Sequence, residues 1–253
     1  MQRAETAILD IDGTLVDTNY QHVVAWQRAF RAQGLEVAAS RIHAHVGMGG
    51  DRLVEEVAGP DFEREHGDEV RAAEGEAYGD MIDEVGPLDG AEDLLSELRR
   101  HDYRVVLASS AKPDEVERYV EILGARDLAD GWTTSEDVDS TKPSAELVEA
   151  ALRIGSAPAV MVGDTAWDII AARKAGVPCL AVTTGGIGPL ELRAAGAGGV
   201  YGSVSDLAAE LRRGARLEEA APENGHPSAM PRQVARRPGS GRSHKSDPAP
   251  TPR

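Results

Sequence analysis

A single cysteine, Cys179, occurs in the 253 residues. That excludes an internal disulfide and a cysteine metal cage, and makes a reducing cytoplasm the expected compartment. Aromatic residues are scarce at 4%. Ala, Val, Leu and Ile must therefore fill the core that a 41% hydrophobic chain of this length can build. No apolar run approaches ~18 residues, so no membrane-spanning segment is predicted. The N-terminus lacks the basic-then-apolar layout of a secretory leader and runs almost at once into a strand pattern.

The net charge of −16 conceals an asymmetry. Residues 224–253 carry six basic residues against Asp247 alone, a local balance of +5, so residues 1–223 carry −21. Half of the 14 prolines fall in 222–253. Such a stretch cannot bury enough apolar surface to offset its ordering entropy, and a disordered basic tail is predicted over 214–253. The tail is the only feature that could favour nucleic acid, and a solvated extension explains it better.

Six short apolar runs read as buried strands: "TAILDI" (6–11), "YRVVLAS" (103–109), "GWTTS" (131–135), "AVMVGD" (159–164), "PCLAVTT" (178–184) and "GGVYGS" (198–203). Between them lie "GAEDLLSELRRH", "KPDEVERYVEILG", "SAELVEAALRIG" and "TAWDIIAARKAG", each with helical spacing. Strands alternating with helices imply an α/β fold, a Rossmann-like parallel sheet with helices on both faces. Residues 18–86 break that rhythm and hold only helical patterns. In "NYQHVVAWQRAFRAQG", Tyr20, Val23, Trp26 and Phe30 share a stripe that Gly34 ends. The expected organisation is a core of 1–16 with 87–213 and an inserted all-helical cap at 17–86, with hinges near 14–18 and 84–89.

The first strand ends in "ILDIDGTLVDT", which sets Asp10 and Asp12 two residues apart. Crowded carboxylates are unfavourable unless a cation or a proton lies between them. Alone, the string equally suits a strand end running into an Asp/Gly turn. In an open parallel sheet, however, ligands bind beyond the carboxyl ends of the strands. That rule gathers Asp10, Asp12, Ser109, Ser110 and Asp164 at one edge, with Lys142 opening the helix before the fourth strand.

With "DIDGTLVDT", "LASSAKPDE", "TKPS" and "VGDTAWD" in that order, the chain resembles the haloacid dehalogenase-like hydrolase superfamily, in its helical-cap phosphatase branch, over roughly 5–210. The resemblance implies a phosphatase acting on a small phosphorylated metabolite. It makes Asp10 the nucleophile that forms an aspartyl-phosphate and Asp12 the general acid and base. It implies Mg²⁺ held by the carboxylates of Asp10 and Asp164 and the backbone carbonyl of Asp12. Asp168 would be an outer or a direct ligand. Ser109, Ser110 and the backbone near Gly13 would bind phosphate, with Lys142 supplying a fixed positive charge. Lys112 could reach the substrate or lie in solvent.

Single residues separate the other branches. Asp12 argues against dehalogenation, which needs no proton for an alkoxide. Residues 18–86 contain no lysine, which argues against phosphonate hydrolysis through a cap Schiff base. A β-phosphoglucomutase-like role is the alternative, since His22 falls where those enzymes place a gating histidine. The third reading, a non-catalytic phosphate-binding or regulatory protein, predicts a missing carboxylate. Phosphoglycolate or a small sugar phosphate is the leading substrate type; in the cap loop Gly47–Arg52, Arg52 is the one strong cation, which favours the carboxylate-bearing ester. His43, His45 and His66 are expected to be surface residues rather than a metal site.

Overall fold

The computed structural model describes residues 4–220; most of the expected basic tail, from 221 onward, lies outside them. All six expected strands form: β1 (Thr6–Leu9), β2 (Arg104–Ala108), β3 (Gly131–Thr133), β4 (Ala159–Gly163), β5 (Cys179–Val182) and β6 (Gly199–Tyr201). They make one parallel sheet in the order β3-β2-β1-β4-β5-β6. The order reverses at β1, which pairs with β2 on one side and β4 on the other; Ile8 is level with Val106 and with Met161. A crevice therefore opens where β1 and β4 end, the position open α/β sheets use for ligands.

Eleven helices surround or cap the sheet among the described residues: α1 (Asn19–Ala32), α2 (Ala39–His43), α3 (Gly50–Ala58), α4 (Pro60–Gly79), α5 (Ala91–Arg100), α6 (Pro113–Ile122), α7 (Glu146–Ile154), α8 (Ala166–Lys174), α9 (Pro189–Ala195), α10 (Val204–Arg212) and α11 (Leu217–Ala220). Strand side chains alternate between faces, which sorts the core into two layers. Ala7, Leu9, Val105, Leu107, Val160 and Val162 pack with Leu94 and Leu98 of α5, Tyr119 of α6 and Leu207 of α10. Ile8, Val106, Ala108 and Met161 face Leu147 and Val148 of α7 and Ile169 of α8. Because both faces are covered, the strands are continuous apolar runs without polar alternation.

Helices α1 to α4 build a separate core of Val23, Trp26, Phe30, Ile42, Leu53, Val54, Val57 and Val70. The two connections to this helical insert run side by side: Val16 bridges Pro87, the Asp17 amide donates to the Gly86 carbonyl at 3.0 Å, and the Leu88 amide to Leu15 at 2.8 Å.

Three expectations need correction here. Tyr20 does not join the apolar stripe of α1; it is 58% exposed and stacks on His43 with ring centroids 5.4 Å apart. Lys142 does not open a helix but sits in the loop before α7, which starts at Glu146. Residues 214–220 are not the start of a loose tail. Leu217 is buried, Arg216 lies over the Tyr103 ring at 4.5 Å, and the Tyr103 hydroxyl donates to Glu218 at 2.6 Å. Gly214, at φ +88°, ends α10 as its position suggests, but three residues further on a leucine finds the core.

Candidate active site

Asp10 is the first residue beyond β1, and its amide is still held in the sheet by the Val162 carbonyl at 2.9 Å. Asp164 follows β4 directly. Both are buried. Asp168 enters from the first turn of α8, where it closes a capping box with Thr165. Its Oδ2 accepts from the Thr165 amide at 3.0 Å and hydroxyl at 2.7 Å, so that oxygen is committed to starting the helix. Its Oδ1 pairs with the Lys142 ammonium at 2.7 Å, and the same ammonium contacts Asp10 Oδ1. Lys142 is only 2% exposed. Oxygens of Asp10, Asp164 and Asp168 all lie within 4.8 Å of one another.

Residues in and beside the first motif that carry no expected role hold this cluster in place. The Thr14 hydroxyl lies 3.2 Å from both Asp10 Oδ2 and Asp164 Oδ1. Asn19, the first residue of α1, donates to Asp164 Oδ2 at 2.8 Å. Gly13 adopts φ +71°, and a Cβ there would collide with Asn19 and with Asp164. Only glycine allows the chain to turn this closely over the acids.

Charge balance in this cluster is unfavourable as it stands. Burial pushes Asp10 well above the usual carboxylate range; Lys142 opposes this, while Asp168, Asp164 and Asp12 push it further up. Burial also takes Asp164 up to about 7, with Asp168 adding to it and Asn19 and Lys142 opposing. Burial disfavours charge on Lys142, yet Asp10 and Asp168 hold its ammonium well above the ordinary lysine value. Three carboxyl groups thus share one cation in a dry site.

Asp12 belongs to a different neighbourhood. Its Oδ1 accepts from the Thr18 hydroxyl at 2.9 Å and its Oδ2 from Ser109 at 3.0 Å. His22 of α1 brings Nε2 to 3.5 Å of Asp12 Oδ1 and Nδ1 to 3.0 Å of Glu74 Oε1 on α4. Burial would raise Asp12, but the hydrogen bond and charge of His22 hold it below its ordinary value. Burial works against a charged His22, and Asp12 with Glu74 overcome it, lifting the imidazole to about 10. The His22 ring stacks on Tyr78 at 3.8 Å, and the Tyr78 hydroxyl meets that of Tyr119 at 2.6 Å.

Ser109 is buried and also accepts from the Ala111 amide at 3.0 Å. The Ser110 hydroxyl oxygen is buried with no partner. The helical insert closes on this edge. Asp51 hydrogen-bonds Thr141, next to Lys142, and Gly49 sits so close to Thr141 that no side chain would fit. His43 is not a free surface residue, as expected above, but makes a 2.9 Å contact from Nε2 to the Gly185 carbonyl. Arg52 is half-exposed on α3, with Glu55 at 3.9 Å.

Of the expected residues, the structure brings together Asp10, Asp164, Asp168 and Lys142 as one group, and Asp12 and Ser109 as its neighbour. Thr14, Thr18 and Asn19 stand in or beside the quoted first motif and could have been marked there. Glu74 leaves no local signal, because His22, the residue that gives it meaning, is far away in the chain. Among the described residues the three aspartates form the one His/Cys/Asp/Glu group at ligand spacing.

Residues 4–176 match the haloacid dehalogenase-like hydrolases. The chain is 30% identical to the validoxylamine A 7'-phosphate phosphatase of Streptomyces hygroscopicus, over 71% of this chain and 86% of that protein. It is also 30% identical to a plasmid-borne phosphoglycolate phosphatase of Cupriavidus necator, over 85% and 96% respectively. A crystal structure of a hydrolase from Pseudomonas syringae superposes with a TM-score of 0.78 at 30% identity, covering 83% of this chain and 99% of that one.

Proposed function

The chain belongs to the haloacid dehalogenase-like hydrolase family, and we propose that it is a magnesium-dependent phosphatase that hydrolyses small phosphate monoesters through an aspartyl-phosphate at Asp10. The observation that carries this reading is the buried Asp10–Lys142–Asp168 ion-pair group with Asp164 beside it. Next to that group lies a second carboxylate, Asp12, paired with a cationic imidazole.

In this reading Asp10 Oδ attacks phosphorus and the ester oxygen leaves. Lys142, held at Asp10, offsets charge on the phosphoryl oxygens in a site without bulk water. Asp12 hands the leaving oxygen a proton and then takes one from the water that hydrolyses the acyl phosphate. His22 keeps Asp12 ionised in the free enzyme, so the proton that Asp12 hands over is one it takes up with the bound, protonated phosphate ester. Ser109, the unpartnered Ser110 hydroxyl and the backbone at Gly13 are the phosphate donors.

The donor set fits magnesium: hard carboxylate oxygens, crowded and under-compensated, two of them forced toward protonation by burial. Asp10 and Asp164, with the Asp12 carbonyl, would hold the ion, and Asp168 would serve behind them through Lys142. When bound, the ion neutralises these acids and polarises a phosphoryl oxygen. The same reading divides the chain into a core of 1–16 with 87–213 and a cap of 17–86; the paired crossings at Val16–Pro87 and Asp17–Gly86 support that division.

Phosphate release from p-nitrophenyl phosphate is expected with magnesium and is expected to vanish after exhaustive chelation. Full activity without the ion would remove Asp164 from this role. Asp12→Asn is expected to slow alkyl phosphate esters by ~10²–10⁴-fold, the usual worth of a general acid, and aryl esters far less. Equal losses on both would remove Asp12 as the proton donor.

On substrate, the relatives divide, one being named for validoxylamine A 7'-phosphate and one for phosphoglycolate. Phosphoglycolate remains a candidate through the second. Arg52, the residue that would meet a substrate carboxylate, is half-exposed on α3 and lies 3.9 Å from Glu55.

A further inference from the structure

The turn that follows β5 has no part in the chemistry above, yet it touches a buried acid on one side and the helical insert on the other. Gly185 comes so close to Asp164 that a Cβ there would collide with Asp164 Oδ2 and lie 2.7 Å from the Asn19 amide nitrogen. At Gly186 a Cβ would meet the Tyr20 hydroxyl at 2.9 Å and His43 Nε2 at 3.1 Å. Two successive glycines thus let one turn press against both neighbours. The Thr184 hydroxyl donates to the Gly13 carbonyl at 2.6 Å and ties the same turn to the first motif.

The contacts converge on the Gly185 carbonyl. His43, the last residue of α2, brings Nε2 to 2.9 Å of it; a carbonyl only accepts, so that nitrogen carries the proton. The His43 ring is stacked on Tyr20 of α1 with the planes 7° apart. Asn19, also of α1, donates from its amide nitrogen to Asp164 Oδ2 at 2.8 Å and to the Gly185 carbonyl at 3.4 Å. A primary amide has two N–H donors, so one group can serve both acceptors. His43, Gly185, Asn19 and Asp164 therefore form one connected chain from the insert to the carboxylate cluster. Asn19 stands only two residues from the crossing of Asp17 with Gly86. Of these contacts, the His43–Gly185 bond is thus the one that a displacement of α2 breaks first.

Partners behind a metal ligand fix its orientation, and removing one typically costs ~10–100-fold in metal affinity. Resting on the magnesium site of the reading above, we propose that His43 is a positioning residue for that site. Through the Gly185 carbonyl and the Asn19 amide it steadies Asp164, so that seating of the insert on the core and magnesium binding strengthen one another. Such coupling is reciprocal: the ion tightens the insert, and loss of the His43 bond loosens the ion.

The test measures the magnesium dissociation constant of the full chain by titration calorimetry, with Tm recorded in chelator. In His43→Ala the constant is expected to rise by about fivefold or more, while His43→Gln, whose amide can still donate to Gly185, stays nearer to wild type. Asn19→Leu, which removes both donors, is expected to weaken binding by about tenfold or more. His43→Ala alters only a half-buried side chain of the insert and keeps the test readable even if Asn19→Leu fails to fold. A His43→Ala protein that melts lower in chelator but binds magnesium as tightly as wild type has lost packing alone, and overturns the inference. Magnesium binding without phosphate release from any ester overturns the phosphatase reading and leaves the comparison of constants standing. A wild-type chain that binds no magnesium overturns both.

Discussion

Asp10→Asn is expected to lower turnover by about 10⁴-fold or more while leaving a folded protein. An amide oxygen is too weak a nucleophile to displace an alkoxide from phosphorus, and no other group can take its place. Asp164 is held by Thr14 and Asn19, and Asp168 is engaged by Thr165 and Lys142. Folding should survive because the substitution removes one of three carboxyl groups that share a single ammonium. Asp10 is pushed well above the usual carboxylate range, with burial the largest cause. The metal-free variant is therefore expected to melt at the same temperature as the wild type or slightly higher. Acid-quenched mass spectrometry during turnover should find phosphorylated wild type and no phosphorylated variant. Residual turnover within tenfold of wild type would move the nucleophile elsewhere.

Lys142→Met is expected to combine the largest loss of stability with a loss of activity. The side chain is almost fully buried and touches both Asp10 and Asp168. Breaking a buried ion pair by removing one partner typically costs ~3–5 kcal/mol, because the remaining charge is left uncompensated. In a chain of this size that corresponds to a fall in Tm of roughly 10 °C or more. The sign of its pH dependence follows from the same acids. Asp10 and Asp164 already have folded pKa values above their unfolded ones, so ionising them weakens the folded state as pH rises from about 4 toward 7 and above. Without Lys142 that window should widen, so the deficit should be smallest in acid and largest at neutral pH. Magnesium should restore part of it by binding the folded state. Turnover should fall by about 10²–10³-fold, the usual cost of removing one fixed transition-state donor. Lys142→Arg is not expected to rescue activity, since the planar guanidinium cannot replace a compact ammonium packed between two carboxylates. A variant with unchanged melting at neutral pH would show that the ion pair contributes nothing net.

Much of the fold and of the site is legible in the sequence. The six apolar runs are strands because a sheet covered on both faces needs no polar alternation, and that pattern is local. "DIDGTLVDT" marks both carboxylates, and the four motifs mark Lys142, Asp164 and Asp168. Some helix ends are readable too, since Thr165 and Asp168 stand at capping-box spacing.

Local periodicity determined most of the inward-facing residues along each element, because strand and helix repeats act over a few residues. What it could not determine is which elements meet. The order β3-β2-β1-β4-β5-β6 brings Asp10 beside Asp164, 154 positions away, and lets one lysine from a loop serve two aspartates, one from a strand end and one from a helix start. Tyr20 fits the helical stripe by spacing, but it is exposed and stacks on His43 of α2, a partner that spacing along α1 cannot show. Glu74 looks like a solvated helix residue until α4 packs on α1 and its carboxylate meets His22. A carboxylate acquires its function from the charges within a few ångströms of it, and those are set by tertiary packing rather than by its neighbours along the chain.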